Sequence, residues 1–334
     1  MLPYVLVFLA SAAIVVAAGA VMTRAADAIA EATGLGRAWI GAVLLAGATS
    51  IPEIATDVSA VRMHAPNLAA GDLFGSSLAN MLILAVIDQL SRQGSVLRRA
   101  AIENGLIACL AIILNTLGAL FVLMQSRTTL LGVSPESVLL LLVYLVGTRA
   151  VYRNGVRHAK ALTSAVPPQK RAVTRSLKRT VAIFVGAAAL ILVASPALAW
   201  SAKHIAEVSG LGTTFVGTWL LGLSTSLPEL ATSFAAVRIG ALDLAVGNLF
   251  GSNSFNMVIF FALDLVSPSG SIFAELSPVH AISGTLAVVL MSLGLASILY
   301  RAERRVFMVE PDSALMLVAY ALSIWIVYLR SAVG

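Results

Sequence analysis

Two short stretches carry carboxylates where a chain can least accommodate them. "TSIPE", Thr49 to Glu53, and "TSLPE", Thr225 to Glu229, each set a glutamate directly after a proline inside a long apolar run. Proline has no N–H, and its ring clashes with the carbonyl four residues earlier, so Pro52 and Pro228 should free or tilt the carbonyls of Ala48 and Ser224. Those carbonyls, the hydroxyls of Thr49, Ser50, Thr225 and Ser226, and the carboxylates of Glu53 and Glu229 form an all-oxygen donor set. Such a set suits a hard cation. Calcium takes about 6–8 oxygens in flexible geometry, whereas magnesium gives up its water reluctantly. No paired His or Cys lies in the spans, which argues against a soft transition metal. A purely structural role would pair each glutamate with an Arg, and the motif cores hold no basic residue. An acid at mid-membrane costs about 2.5–3.5 kcal/mol and marks function by default.

A second pair of motifs follows: "GDLFGSSLAN" from Gly71 and "GNLFGSNSFN" from Gly247. Asp72, Ser76 and Asn80 are spaced by four and share a helix face, as do Asn248, Ser252 and Asn256. Interhelical hydrogen bonding is the plain alternative for these polar residues, worth about 0.6 kcal/mol each. Gly71 with Gly75, and Gly247 with Gly251, are small-xxx-small pairs that let helices approach closely. Asp57 lies one turn beyond Glu53, where the second stretch has Ser233. Asp72 likewise faces the neutral Asn248 in the alignment. Asp57 and Asp72 are expected to form an acidic outer vestibule that concentrates divalent cations, or Asp57 to carry a proton. Asp243 is expected to cap its own helix. Cys109 reads as a packing residue, and His64, His158, His204 and His280, near predicted ends or loops, receive no role.

The elements that position these groups must be membrane spans. Of 334 residues, 59% are hydrophobic and 11% charged, with mean hydropathy +0.94. A soluble chain of this length would carry far more charge. About ten apolar runs reach the roughly 20 residues a span needs. They lie near 3–30, 38–61, 67–90, 100–124, 133–153, 179–206, 213–237, 243–266, 276–299 and 312–331. Spans are helical, because lipid cannot satisfy an open backbone. The fold class is therefore an all-α polytopic membrane protein.

The net charge of +6 does not signal nucleic acid. The basic residues cluster after odd-numbered spans, at 92–99, 149–179 and 301–305. Lys and Arg mark the cytoplasmic side, so both termini are expected outside. A leader peptide is not expected, since no basic residue precedes the first apolar run. The chain divides into a first five-helix half (1–153), a basic cytoplasmic linker (154–178) and a second half (179–334). The linker holds Pro167 and Pro168 and reads as mobile, with anionic lipid as the plain partner for its charge.

The halves are copies. Thr49, Ser50, Pro52, Glu53, Thr56, Arg62, Gly71, Phe74, Gly75, Ser76 and Asn80 all recur 176 positions later, within motifs at 47–81 and 223–257. The register runs on to Asp88 against Asp264. This offset spans five crossings, an odd number, so the copies must point in opposite directions. A 5+5 inverted repeat is a transporter architecture, with its site near mid-membrane on interrupted helices.

These motifs resemble the alpha-repeats of the cation/calcium exchanger superfamily, and the resemblance covers nearly the whole chain. It implies alternating access by rocking of the first and sixth spans. It implies exchange of calcium for sodium across the cell (inner) membrane, with calcium and sodium as substrates and no cofactor. The central calcium would lie between Glu53 and Glu229 with backbone oxygens of Thr49 and Thr225. Sodium would use Ser50, Ser76, Ser226 and Ser252, with Asn80 and Asn256 completing the ring. The chain departs from the family pattern at Asp72 and Ser77, each often Asn there, and at Asn256, often Asp. The last removes a central acid and opens the coupling ion to question.

Three rivals follow. With Asn80 and Asn256 neutral, two protons could balance one calcium, giving a calcium/proton antiporter of the same fold. A cation channel would carry current without a counter-ion, usually through rings of side chains from several subunits, which an internal duplication does not need. A hydrolase using Glu53 and Asp57 would need the pair in both halves, and the second half lacks it.

Overall fold

The computed structural model describes residues 1–91, 95–165, 176–209, 224–268, 270–300 and 310–331. It is all helical apart from one isolated β-bridge between Leu130 and Val133. The first half contains α1 (Leu2–Thr33), α2 (Arg37–Thr49), α3 (Ile51–Arg62), α4 (Pro66–Leu90), α5 (Ile102–Met124) and α6 (Pro135–Ala165). The second contains α7 (Leu177–Ser209), α8 (Leu227–Arg238), α9 (Leu242–Val266), α10 (Val279–Tyr300) and α11 (Pro311–Ser331). Among the described residues, seven helices are long and apolar enough to cross a membrane. The bent pair α2–α3 makes an eighth, and α11 contributes a shorter apolar stretch, Pro311–Val327. The remaining expected span, near 213–237, is represented by α8, because residues 210–223 lie outside the described set.

The internal repeat is carried into the helices themselves. α3 and α8 are both 12 residues long, α4 and α9 both 25, and each pair starts 176 positions apart, at 51 and 227 and at 66 and 242. The inversion is visible where α4 crosses α9. Asn256 donates to the carbonyl of Leu73 at 3.3 Å, and Asn253 donates to the carbonyl of Ser77 at 3.2 Å. Numbers rise on one helix as they fall on the other, so two equivalent helices run antiparallel through the molecular centre. α4 and α9 are also the most buried spans, with 72% and 67% of their apolar windows inside the protein, against 28% and 33% for α1 and α7. The polar motifs therefore sit on the core pair. α1 and α7 pack on one another at the periphery, with Tyr4 stacked on His204 at 5.0 Å and edge-on to Trp200 at 5.4 Å.

A repeat-related pair of acids clasps the two halves together. Asp88, at the end of α4, accepts from Ser95 Oγ (2.8 Å), the Leu97 N–H (2.9 Å) and the Ser313 hydroxyl on α11. Asp264, its repeat counterpart at the end of α9, accepts from the Ile272 N–H (2.8 Å), Ser137 Oγ (2.7 Å) and the Ser134 N–H at the start of α6. Helix starts leave N–H groups unsatisfied, and a carboxylate there answers both the missing acceptors and the helix dipole. Asp243 works in the same way, which corrects the sequence expectation. It does not cap α9, whose N-cap is Ala241. It accepts from the Ala101 N–H (2.6 Å) and Asn104 Nδ2 (2.9 Å), so it caps α5 in the other half. Its counterpart Asn67 accepts from the Ser277 N–H, just before α10.

The glycine expectation holds for the second motif. A Cβ on Gly247 would lie 2.5 Å from the Ala38 carbonyl oxygen, and one on Gly251 would lie 2.4 Å from the Ala42 Cα. In the repeat register the positions matching Ala38 and Ala42 are 214 and 218, which lie outside the described residues. The segment 154–178 differs from a linker at its ends: α6 continues to Ala165 and α7 begins at Leu177. Its middle, 166–175, is not described, nor are Arg92 and the 301–305 cluster. Cys109 is half-buried and free.

Candidate cation site

The proline motifs break their spans at one matched residue. α2 and α3 meet at Ser50 with a bend of 44°. Ser50 has φ −86° and ψ −1°, and its counterpart Ser226, before α8, has φ −86° and ψ 4°. Pro52 and Pro228 occupy the second helical position, where a missing N–H costs nothing. The chain entering the first break is also distorted, because Ile40–Leu45 forms a π-helical turn. Such turns occur often at functional sites. Glu53 and Glu229 each lie in the first turn after the break, buried at 2% and 0% exposure. Neither glutamate is ion-paired with a Lys or Arg among the described residues.

The two glutamates come within electrostatic reach of each other, with Asp72 beside them. Ser50 and Ser76 lie against the Glu53 carboxylate, and the Thr49 hydroxyl lies against Glu229. On the α4–α9 seam, Asn80 Nδ2 donates to Asn253 Oδ1 at 2.9 Å, and Asn256 donates to Leu73 as above. Both bonds use the amide nitrogen, which leaves the amide oxygen of each as an acceptor only.

The oxygens left over define the site. Ser50 Oγ, Glu53 Oε2, Ser76 Oγ, Asn80 Oδ1, Ser226 Oγ, both Glu229 oxygens, Ser252 Oγ and Asn256 Oδ1 are buried and have no hydrogen-bond partner in the protein. Asp57 Oδ2, Asp72 Oδ2 and Asn248 Oδ1 join them. A buried acceptor without a partner costs about 1–3 kcal/mol, more if charged. So many acceptors gathered on two core helices and at the two breaks could together serve as a ligand set for a cation. Thr49 and Thr225 differ in this respect. Thr49 Oγ1 donates to the Ala46 carbonyl at 3.1 Å, and Thr225 Oγ1 donates to Asp72 Oδ1 at 3.4 Å. Their hydroxyl protons are engaged, which leaves the hydroxyl lone pairs and the backbone oxygens as the ligands they could offer. Among the described residues no three or more His, Cys, Asp or Glu side chains converge closely enough to hold one metal ion between them. A cation here would draw on neutral oxygens as well as carboxylates.

Asp57 and Asp72 occupy the positions of Ser233 and Asn248. In the second half, Asn248 Nδ2 donates to Ser233 Oγ at 3.0 Å and to Thr232 Oγ1 at 3.1 Å. In the first half the two carboxyl groups are close enough to act on each other electrostatically. Asp57 is 1% exposed, which is a buried position beside Glu53 rather than an open mouth. Two residues of the seam escaped sequence reading. Asn253 ties Asn80 to Ser77, and Asn115 on α5 donates to the Asn253 carbonyl at 3.0 Å. A signal for Asn115 existed: it is a lone amide within the apolar run "LAIILNTLG".

Comparison with known proteins bears on the family and the fold. A family model described as "Sodium/calcium exchanger protein" matches residues 3–152 and 179–329, one match per half. The chain is 29% identical over 301 residues to "Putative antiporter CaxA" of Alkalimonas amylolytica, covering 87% of this chain and 88% of that one. It is 28% identical to "Inner membrane protein YrbG" of Escherichia coli (strain K12), covering 74% and 75%. Among solved structures, the sodium-calcium exchanger NCX_Mj soaked with Na+ and Sr2+ superposes with a TM-score of 0.72 at 22% identity, covering 96% of this chain and 97% of that one.

Proposed function

This chain belongs to the sodium/calcium exchanger family, and on that premise we propose that it exchanges calcium for sodium by alternating access. It is an integral, multi-pass membrane cation antiporter of that family and not an enzyme. The observation that carries the finer reading is the set of partnerless buried oxygens that includes both repeat glutamates. Calcium lies between Glu53 and Glu229, with backbone oxygen from Thr49 and Thr225. Sodium takes the flanking oxygens of Ser50, Ser76, Ser226 and Ser252, with Asn80 and Asn256 closing the ring.

Coupling follows from charge. Two bare carboxylates in a low-dielectric interior are costly, so the protein rearranges only when cations compensate them. The loaded and exchanged states can switch sides, and the empty state cannot. The moving part is the α1–α7 pair, which packs on itself at the periphery and holds fewer buried residues than the α4–α9 core. The basic clusters favour a cytoplasmic face after odd-numbered spans, with both termini outside. The inner-membrane name of the YrbG relative supports the cell membrane as its location.

Neutral amides at Asn80 and Asn256 favour one second reading, a calcium/proton antiporter on the same two glutamates. Isotopic calcium uptake into proteoliposomes, with sodium and proton gradients imposed separately, tests both. Uptake driven by an outward sodium gradient at uniform pH supports sodium exchange. Uptake that follows only the pH gradient moves the coupling to protons.

A further inference from the structure

The face of α8 turned away from the cation site borders a groove. Leu227, Ala231, Phe234 and Arg238 are spaced by three and four and share one helix face, and Glu229 falls on the opposite one. α1 lies alongside and runs parallel to α8. Leu227 packs on the cluster of Val15, Ala194 and Leu198, a Cβ on Gly19 would lie 3.1 Å from Ala231 Cβ, and Thr23 Oγ1 donates to the Thr232 carbonyl at 3.1 Å. The groove between them holds about 500 Å³ and is bordered by Val16, Ala20 and Arg24 of α1 and by Leu227, Phe234 and Arg238 of α8. Sites for small molecules span about 300–1,000 Å³.

The two ends of the groove differ. Val16, Ala20 and Leu227 make one end apolar, and the parallel helices bring Arg24 and Arg238 to the other. Arg24 is the first charged side chain of α1, and the acids that follow it, Asp27 and Glu31, are paired with Arg37. Neither Arg24 nor Arg238 belongs to an ion pair among the described residues, and the Arg238 guanidinium lies over the Phe234 ring at 4.5 Å. Two guanidinium groups at the end of an apolar trough repel each other unless an anion lies between them. Their planar forks match phosphate oxygens through paired N–H···O bonds.

We propose that this groove binds one anionic glycerophospholipid, with its phosphate between Arg24 and Arg238 and one acyl chain along Val16, Ala20 and Leu227. On the expected topology this end of α1 and α8 faces the cytoplasm, where anionic lipid gives the leaflet its negative potential. The other half lacks the pair. The repeat counterpart of Arg238 is Arg62, but that of Arg24 is Trp200, which packs on Tyr4 and His204. A lipid in the groove ties α1 to the helix that carries Glu229. Its binding does not depend on which ions the protein exchanges.

Native mass spectrometry of the full-length protein tests this, with the protein released from detergent containing equal amounts of phosphatidylglycerol and phosphatidylcholine of the same chains. The wild type is expected to retain one phosphatidylglycerol in preference to phosphatidylcholine. Arg24 and Arg238 are exposed, so Arg24→Gln with Arg238→Gln is expected to fold and to bind that lipid at least tenfold more weakly. Arg62→Gln is expected to bind it as the wild type does. Glycerol 3-phosphate, a headgroup without chains, is expected not to displace it. Should the double variant fail to fold, Arg238→Gln alone serves, with the same direction of change. Equal retention of phosphatidylglycerol by the wild type and the arginine variant overturns the proposal and places the lipid elsewhere. Equal retention of the two lipids by the wild type overturns it as well, leaving an apolar groove that does not select a headgroup. Displacement by glycerol 3-phosphate overturns it in favour of a free-phosphate site.

Discussion

Asn80 donates its amide to Asn253 at 2.9 Å, joining the two core helices at the point where the halves exchange places. Asn253 in turn donates to the Ser77 carbonyl, and its own carbonyl receives Asn115. One residue thus joins a proposed sodium ligand, its own repeat counterpart Ser77 and α5. Asn253→Ala should leave the Asn80 amide without a partner and the Ser77 carbonyl with its helical partner alone. At about 1–3 kcal/mol for each unsatisfied buried group, the expected result is a thermal unfolding midpoint lowered by several degrees, together with weaker calcium binding. Thermal fluorescence with and without calcium reads both.

The two swapped clasps predict equal losses. Asp88→Ala strands donors from Ser95, Leu97 and Ser313, and Asp264→Ala strands donors from Ile272, Ser137 and Ser134. Each acid lies at a helix end, far along the chain from the glutamates. Both variants should lose stability by about 2–5 kcal/mol, the cost of removing a buried charged acceptor from its hydrogen-bonded donors. Surviving protein should keep its calcium affinity. Detergent-resistant yield and unfolding midpoint measure the first, and calcium binding the second.

Gly251 tests the helix contact behind the site. A Cβ there would fall 2.4 Å from the Ala42 backbone, so Gly251→Ala must push α9 away from α2 and shift Ser252 and Asn256 with it. Transport should fall at least tenfold. Gly186 on α7 has open space around its Cα, and Gly186→Ala should transport as the wild type does. Calcium uptake normalised to reconstituted protein compares the two.

Much of this was legible because the chain states its plan twice. The 176-residue register located the breaks, the glutamates, the Ser–Asn faces and the glycines, and an odd number of crossings implied the inversion that α4 and α9 display. What escaped depends on partners distant in sequence. Asp243 looks like a cap for the helix that carries it, yet its acceptor role is spent on Ala101, 142 residues away. Asp88 and Asp264 aligned across the repeat without revealing that each reaches the other half. The π turn at Ile40–Leu45 sits in an apolar run with no local marker. The proximity of Asp57 and Asp72 required the fold, because it is the packing of α3 on α4 that brings the two helices together.

The central claim is that one calcium is shared by two glutamates from opposite halves. It is tested most directly by isotopic calcium uptake into proteoliposomes containing Glu53→Gln or Glu229→Gln, with equal protein and an imposed counter-ion gradient. Removing one partner of a shared buried site is worth about 3–5 kcal/mol, so each single variant should lose uptake at least a hundredfold, and to a similar degree. A variant of either glutamate that retains near-wild-type uptake would contradict the account.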